Sequence, residues 1–461
     1  MKTYKYLFIL ITALAFTSCE DELNVLPEDD QSTEQVFSSE AGAQGALVGV
    51  YSFAQQDDVL NGTSTLATEW QADNVDFVGS FPTFNDIRTY ETQADNTSIF
   101  AIYDDNYEVI GAANNVIAFV PTIEDENFTE EERAQVIAEA KFMRALVYFK
   151  LVNLFGQPLQ VGGGTTLAVP LVTEPFSISG EANPPRNTVN DIHAQIEQDL
   201  TEAIPSLTNA DNSRATTGAA QLLLARLYLY QERFGEAATL ANDAISNDEF
   251  VLATNYTFYN TQSTEFFFTL VNTPADGQDS GQGFSGLTNP APAGRGDAPF
   301  SDNLIEAYQE EAGDLRFTLT QTGTSASGED RLFTSKFPDG NTNSDNAPVL
   351  RVTEAYLTRA EANFRNGSTI GAAPLDDIND LRDRANLPPL GALTLDQILN
   401  ERRKELAFEG QRRMDLLRNG LNLRRPGMPN EAESAPGQNK TILPIPAREV
   451  DLSGLEQNPG Y

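Results

Sequence analysis

The stretch from Arg133 to Phe155 places the strongest limit on how this chain folds. Val136, Ala140, Met143, Val147, Leu151 and Leu154 recur at spacings of three and four, the period of one helix face. Phe142, Leu146 and Phe149 widen that stripe. A helix that is apolar on more than one side must be enclosed by other elements. Gly156 and Pro158 end it.

Further helices surround it in sequence. Thr188 followed by Asp191 reads as a capped start, and Ile192, Ile196, Leu200 and Ala203 give one apolar face before Pro205. Thr217 to Ser246 reads as a helical hairpin. Its Leu224, Ala225, Tyr228, Ala237, Ala241 and Ala244 follow the small/large pattern of a tetratricopeptide repeat. A second hairpin is expected over Val352–Asn366 and Leu375–Ala385, turning at Gly367 and Gly371. The expected fold is mainly α, with tetratricopeptide-like hairpins in an α-α superhelix supporting an irregular, loop-rich face. Long loops are expected at Phe77–Asn96, Thr273–Phe300, Gly323–Asn346 and Pro426–Asn439, where function is commonly carried.

The N-terminus decides where such a body resides. Lys2 and Lys5 precede an apolar run from Leu7 to Phe16, too short to span a bilayer. Small Thr17 and Ser18 then precede Cys19, the only cysteine. The arrangement resembles a bacterial lipobox, with an acylated Cys19 as the first residue after cleavage. The alternative is a secreted protein with one stray thiol. Glu20, Asp21 and Glu22 resemble an export signal to the outer face of the outer membrane. Asn24 to about Ser39 is polar and reads as a tether. With the sole cysteine acylated, no disulfide is possible, and a packed core must supply stability. Sixty-seven acidic residues against thirty basic ones give a net charge of -37. That balance excludes nucleic acid as a partner and leaves anionic lipid to the anchor.

Several segments together resemble the SusD/RagB family of outer-membrane nutrient-binding lipoproteins. They are Ala138–Phe149 with Leu154–Gly156, Val349–Ala362, Ile378–Pro388, Glu401–Arg418, and the close at Leu443–Pro446 and Gln457–Tyr461. The resemblance spans essentially the whole chain after the signal. It implies a non-enzymatic protein that captures oligosaccharides, less often peptides, and caps a SusC-like TonB-dependent transporter. It implies residues 1–18 as signal, 19–39 as acylated cysteine and tether, and 40–461 as a SusD-like domain. That domain has an N-terminal part over about 40–250 and a C-terminal part over about 260–461. No cofactor or metal is implied.

Sugar binding calls for flat apolar faces beside amide, carboxylate or guanidinium groups. Phe77, Phe81, Phe84, Asn85 and Arg88 in the first long loop, and Phe284 and Arg295 in the second, are the candidate ligand-binding residues. An inward-folded aromatic minicore is the competing reading of the phenylalanines. Trp70, the single tryptophan, sits in a helical pattern and is expected in the core. Glu401–Arg418 is expected to be a scaffold helix whose charges pair along its own length, Glu409 with Arg412 or Arg413. Gly281–Gly286 fits GxGxxG but is expected to open no helix. Asp339–Asp345 alternates oxygen ligands like a calcium loop, yet Ser344 stands where the turn glycine belongs. Arg295-Gly296-Asp297 is too short to carry meaning. His193 is the lone histidine, expected as a surface or packed residue rather than a base. A glycoside hydrolase needs a carboxylate pair, which counting does not exclude and spacing does not indicate.

Overall fold

A computed structural model of the chain describes residues 32–176, 183–424 and 426–461. The signal, Cys19 and most of the tether lie outside the described residues. The central helix runs Glu130–Phe155, opened by a Thr129–Glu132 capping box and stopped at Gly156. Sixteen of its residues are buried, as its wide apolar stripe requires. The Val189–Ala203 helix packs along one side of it and the Thr97–Phe119 helix along another. Thr188 and Asp191 form the expected capping box, and Ile192, Ile196, Leu200 and Ala203 are buried.

From there the helices continue as a stack of neighbours. The Glu40–Ala54 helix lies on Thr97–Phe119; Val189–Ala203 meets Thr217–Tyr230, which pairs with Phe234–Ile245. That helix packs on Val352–Asn366, which pairs with Pro374–Arg384 and Leu395–Leu406. Both expected hairpins are present, the second turning at Gly367 in the left-handed conformation that glycine adopts without steric cost. The array is the expected α-α superhelix. Among the described residues, three two-stranded antiparallel sheets accompany it. The strand Phe266–Leu270, buried at every position, pairs with Ala347–Arg351 and carries Phe267 and Phe268 into the main core. Among the described residues, no helix is long and apolar enough to cross a membrane.

Some expectations fail locally. Thr33–Val36 is helical, and Phe37 packs on Phe119 at 5.3 Å, so the end of the expected tether lies on the body. The Phe77–Asn96 segment contains the Pro82–Thr89 helix, because Pro82 at its first turn favours helix entry and Phe84 and Ile87 share a buried face. The Gly323–Asn346 loop begins on a β-hairpin whose strands, Thr320–Thr324 and Asp330–Thr334, pair in register. Glu401–Arg418 is two helices, Leu395–Leu406 and Arg412–Leu417, divided by Phe408 and Gly410 at positive φ. A bulky residue in that conformation costs on the order of 1–3 kcal/mol.

The division redirects the charges. Glu409 pairs with Arg351 at 2.8 Å and Lys336 at 2.6 Å, not with Arg412 or Arg413. Arg412 binds Asp73, and Arg413 donates to the backbone oxygens of Asn153 and Thr441. Glu405 meets Arg384 at 2.8 Å and Arg316 at 3.5 Å, and accepts from Tyr256 Oη at 2.8 Å. Glu401 joins Arg316 and Arg382, each at 2.6 Å. The segment is scaffold as expected, but its ion pairs are buried and tertiary. Burial alone would raise the Glu405 carboxyl; Arg384, Arg316 and Arg351 overcome it and hold the group down at about 2. A depressed carboxylate pKa contributes stability above the ordinary value of 4.5 that is lost as pH falls toward 2. Glu405→Gln will therefore lower unfolding free energy by about 3–5 kcal/mol at pH 7 in urea titrations. The difference from the native chain will shrink below pH 4.5. Equal urea midpoints at pH 7 would contradict the network's role.

Candidate ligand-binding site

The two segments singled out for binding lie side by side. The backbone N–H of Asp76 donates to Pro299 O at 3.0 Å, and that of Val78 donates to Asp297 O at 2.9 Å. Val75 and Phe300 form an antiparallel bridge. Gly79 permits this approach: a Cβ there would lie 2.4 Å from the Asp297 carboxyl carbon. Arg331 ties the seam by binding Asp76 at 2.7 Å and Phe300 O at 3.1 Å.

The phenylalanines divide by burial. Phe77 and Phe84 are 3% and 1% exposed and pack with Trp70, whose ring lies 5.1 Å from Phe77 and 4.9 Å from Phe84. Phe284 is 2% exposed and stacks on Phe337 at 4.3 Å. These three have no open face for a sugar. They correct the candidate set, and the physical reason is the burial of rings whose removal from water stabilises the body. Trp70 is in the core as expected.

Phe81, Asn85, Arg88 and Arg295 remain at the surface. Phe81 caps the Pro82–Thr89 helix, and Asn85 and Arg88 follow at spacings of four and three, so the three share one helix side. Asn85 is exposed, while Phe81 and Arg88 are half-buried. The Arg295 guanidinium sits 4.3 Å above the Phe81 ring and binds Asp297 through Nε at 2.8 Å. Gly296, at φ 68°, makes the turn that folds this Arg-Gly-Asp tripeptide onto itself. The result is a flat cation backed by the Phe81 ring, whose helix side also carries an amide and a second guanidinium. Such groups donate to sugar hydroxyls without reorganising. Arg424, which sequence reading did not single out, is 3% exposed and so offers no open group to a sugar. It lies 4.8 Å over the Tyr90 ring, and its Nε and Nη2 have no hydrogen-bond partner. Burial pushes its pKa down and the charge of Arg88 adds to the effect. No local periodicity connects it to the helix after Phe81.

The glycine-rich Gly281–Gly286 does open a helix, Phe284–Thr288, but all five of its residues are buried. Gly283 bridges Gly62, so the motif serves chain packing. In Asp339–Asp345, the Asp339 carboxylate accepts from the Thr342 and Ser344 hydroxyls, while Asp345 accepts from Ser285 Oγ at 2.8 Å. His193 is buried, and burial pushes it down to about 4.

A π-helix over Asp57–Asn61 edges the second segment. Asp57 Oδ2 accepts from the Asp279 N–H at 2.9 Å. Burial first, then the charges of Asp279, Asp58 and Asp105, push the Asp57 carboxyl up to about 7 despite that hydrogen bond. A raised carboxyl pKa stabilises the fold at low pH, and this contribution is lost as pH rises from 3.8 to about 7. Asp57→Asn will raise the melting temperature by about 1–3 °C at pH 8, and the gain will close toward pH 4, as scanning calorimetry can check. An equal gain at both values would place its cause elsewhere.

Known proteins share this architecture. A family model described as starch-binding associating with outer membrane matches residues 22–229, and one described as SusD family matches residues 330–461. SusD-like protein P2 of Formosa agariphila is 28% identical, with both chains covered in full. The starch-binding protein SusD of Bacteroides thetaiotaomicron is 37% identical over 123 residues, 25% of this chain and 21% of that protein. A crystal structure of a SusD superfamily protein from Bacteroides thetaiotaomicron superposes with a TM-score of 0.84 at 26% identity, covering 91% of this chain and 99% of its own. A laminarin-binding SusD-like protein gives 0.74 at 26% identity, covering 92% and 100%. By sequence over both halves and by fold throughout, this chain belongs to the SusD-like family.

Proposed function

We propose that this protein is a non-enzymatic cell-surface lipoprotein that binds an oligosaccharide and delivers it to a SusC-like TonB-dependent transporter, which it caps. The observation carrying the reading is family membership together with a fold shared with a laminarin-binding relative. Phe81, Asn85, Arg88 and Arg295 hold the sugar in this reading. Their fixed planar and amide groups meet hydroxyls while the Phe81 ring offers apolar surface. The helical array behind them supplies rigidity and the transporter contact. Residues 1–18 act as signal, and Cys19 carries the acyl chains that hold the body to the outer membrane, facing outward. Several chains are needed, since one alone anchors weakly.

A glycan array on the soluble body, begun after Glu22, followed by calorimetry, tests the binding role. The expected result is a hit on one linkage class, weakened about tenfold or more by Phe81→Ala or Arg295→Ala, a loss equivalent to about 1.4 kcal/mol. Binding of peptides but no glycan would sink the carbohydrate reading, and release of sugar products would make the protein a hydrolase. Separately, Cys19→Ala will move the full chain from the membrane fraction to the soluble fraction on cell fractionation. Retention in the membrane would refute the anchor.

A further inference from the structure

Where the central Glu130–Phe155 helix passes Thr63–Gln71, Thr217–Tyr230 and the turn at Glu409–Met414, the packing leaves a cavity of about 100 Å³. It has room for about three waters, and it is smaller than the ~150 Å³ that holds a benzene ring in a dry core. Its polar lining includes Ser64, Lys150, Arg226, Tyr230, Glu409 and Arg413. In a chain of net charge -37, this lining is richer in cations than in carboxylates.

The charges sort by partner. Arg226 is matched by Glu354 at 2.5 Å, and Glu409 by Arg351 and Lys336. Lys150 and Arg413 have no ion-pair partner among the described residues. Lys150 Nζ donates to Val59 O and, at 2.8 Å, to Ser64 Oγ. Arg413 is 1% exposed; it donates to two backbone oxygens, and its Nε has no hydrogen-bond partner. Buried cations are ordinarily matched by a counter-charge or a ligand. Two unmatched cations on one small cavity suit negative charge in a planar or tetrahedral oxygen group; the Ser64 hydroxyl adds no donor, because it already donates to Val59 O at 2.6 Å.

We propose that this cavity binds one small oxyanion, of carboxylate or sulfate size, between Lys150 and Arg413. The site does not depend on the carbohydrate reading of the loop face. Its half-buried rim at Lys150 and Asn153 gives access to solvent. The oxyanion is either a free ion or the charged substituent of a larger ligand whose remainder stays outside.

The site is sensitive to pH. Burial pushes Lys150 down to about 7; Asp58 on the π-helix opposes this and Arg226 assists it. Tyr230, Glu409 and Arg413 face it across the cavity. Asp58 itself is pushed up to about 7 by burial and by Asp105. Lowering the pH thus charges Lys150 and neutralises Asp58, and both changes favour an anion.

The test is calorimetric titration of the native soluble body with sodium sulfate and with sodium acetate. Ionic strength is held constant with chloride, and titrations are run at pH 6 and pH 8. Saturable one-to-one binding is expected, tighter at pH 6, and weakened tenfold or more by Lys150→Gln. Galactose 6-sulfate and glucuronate against neutral galactose separate the sources. Tighter binding of the charged sugars marks a substituent pocket, and tighter binding of the bare ions marks a free-ion site. Arg413→Gln should also abolish binding; if circular dichroism shows that it does not fold, the Lys150→Gln result decides alone. Absence of saturable binding at both pH values, or undiminished binding to Lys150→Gln, would overturn the proposal.

Discussion

Glu405 is a charge almost without water, and it stays ionised only because arginines from three other segments surround it. Arg316 arrives from the 3-10 turn Leu315–Thr318, Arg351 from a strand end and Arg384 from a helix end. Each arginine also binds a further carboxylate, so the network extends through Glu401 and Glu265. Removing one member would leave an unmatched charge in a low-dielectric interior, which costs far more than a surface pair gains. This mutual dependence fixes the C-terminal helices against the strand Ala347–Arg351. Through Glu409 it also fixes the turn at Phe408 that no helix propensity would choose.

The same logic operates across the stack. Arg144 binds Asp199 twice, at 2.8 and 2.6 Å, and reaches Asn114, joining three helices through one guanidinium. Arg418 binds Glu361 at 2.5 Å and Asp415 of the helix it caps at 2.7 Å, joining two helices. Apolar stripes bring the helices together, and bidentate guanidinium contacts select the register in which they sit. The rigid body that results holds the seam at Asp76–Val78 and Asp297–Pro299, on which the Phe81–Arg295 pair depends.

The helical array was legible because its signals are local. Thr188 with Asp191, the stripe from Val136 to Leu154, and Gly367 each act within a few residues. The candidate binding face was legible only in outline. The two segments singled out in the sequence meet along one seam, but nothing in Phe77-to-Arg88 composition tells an inward ring from an outward one. The spacing of Phe84 and Ile87, two apolar positions among polar residues, is too short a signal to mark the Pro82–Thr89 helix. The pairing of Glu409 with Arg351 and the place of Arg424 over Tyr90 lay beyond sequence reading, because both join residues far apart in the chain.

That remoteness has a consequence for how the molecule forms. Glu69 accepts from the backbone of Gly410, and Asp73 is held by Arg412. Asn458 lies against Phe155 and Arg186. Contacts of such sequence separation close large loops, and chains dominated by them fold slowly. The Thr63–Gln71 helix, with its buried Glu69, has no native surroundings until the segment around Gly410 has emerged and docked. The opening helices therefore wait on the closing ones, and a truncated chain would leave charged groups stranded where the finished protein keeps none exposed.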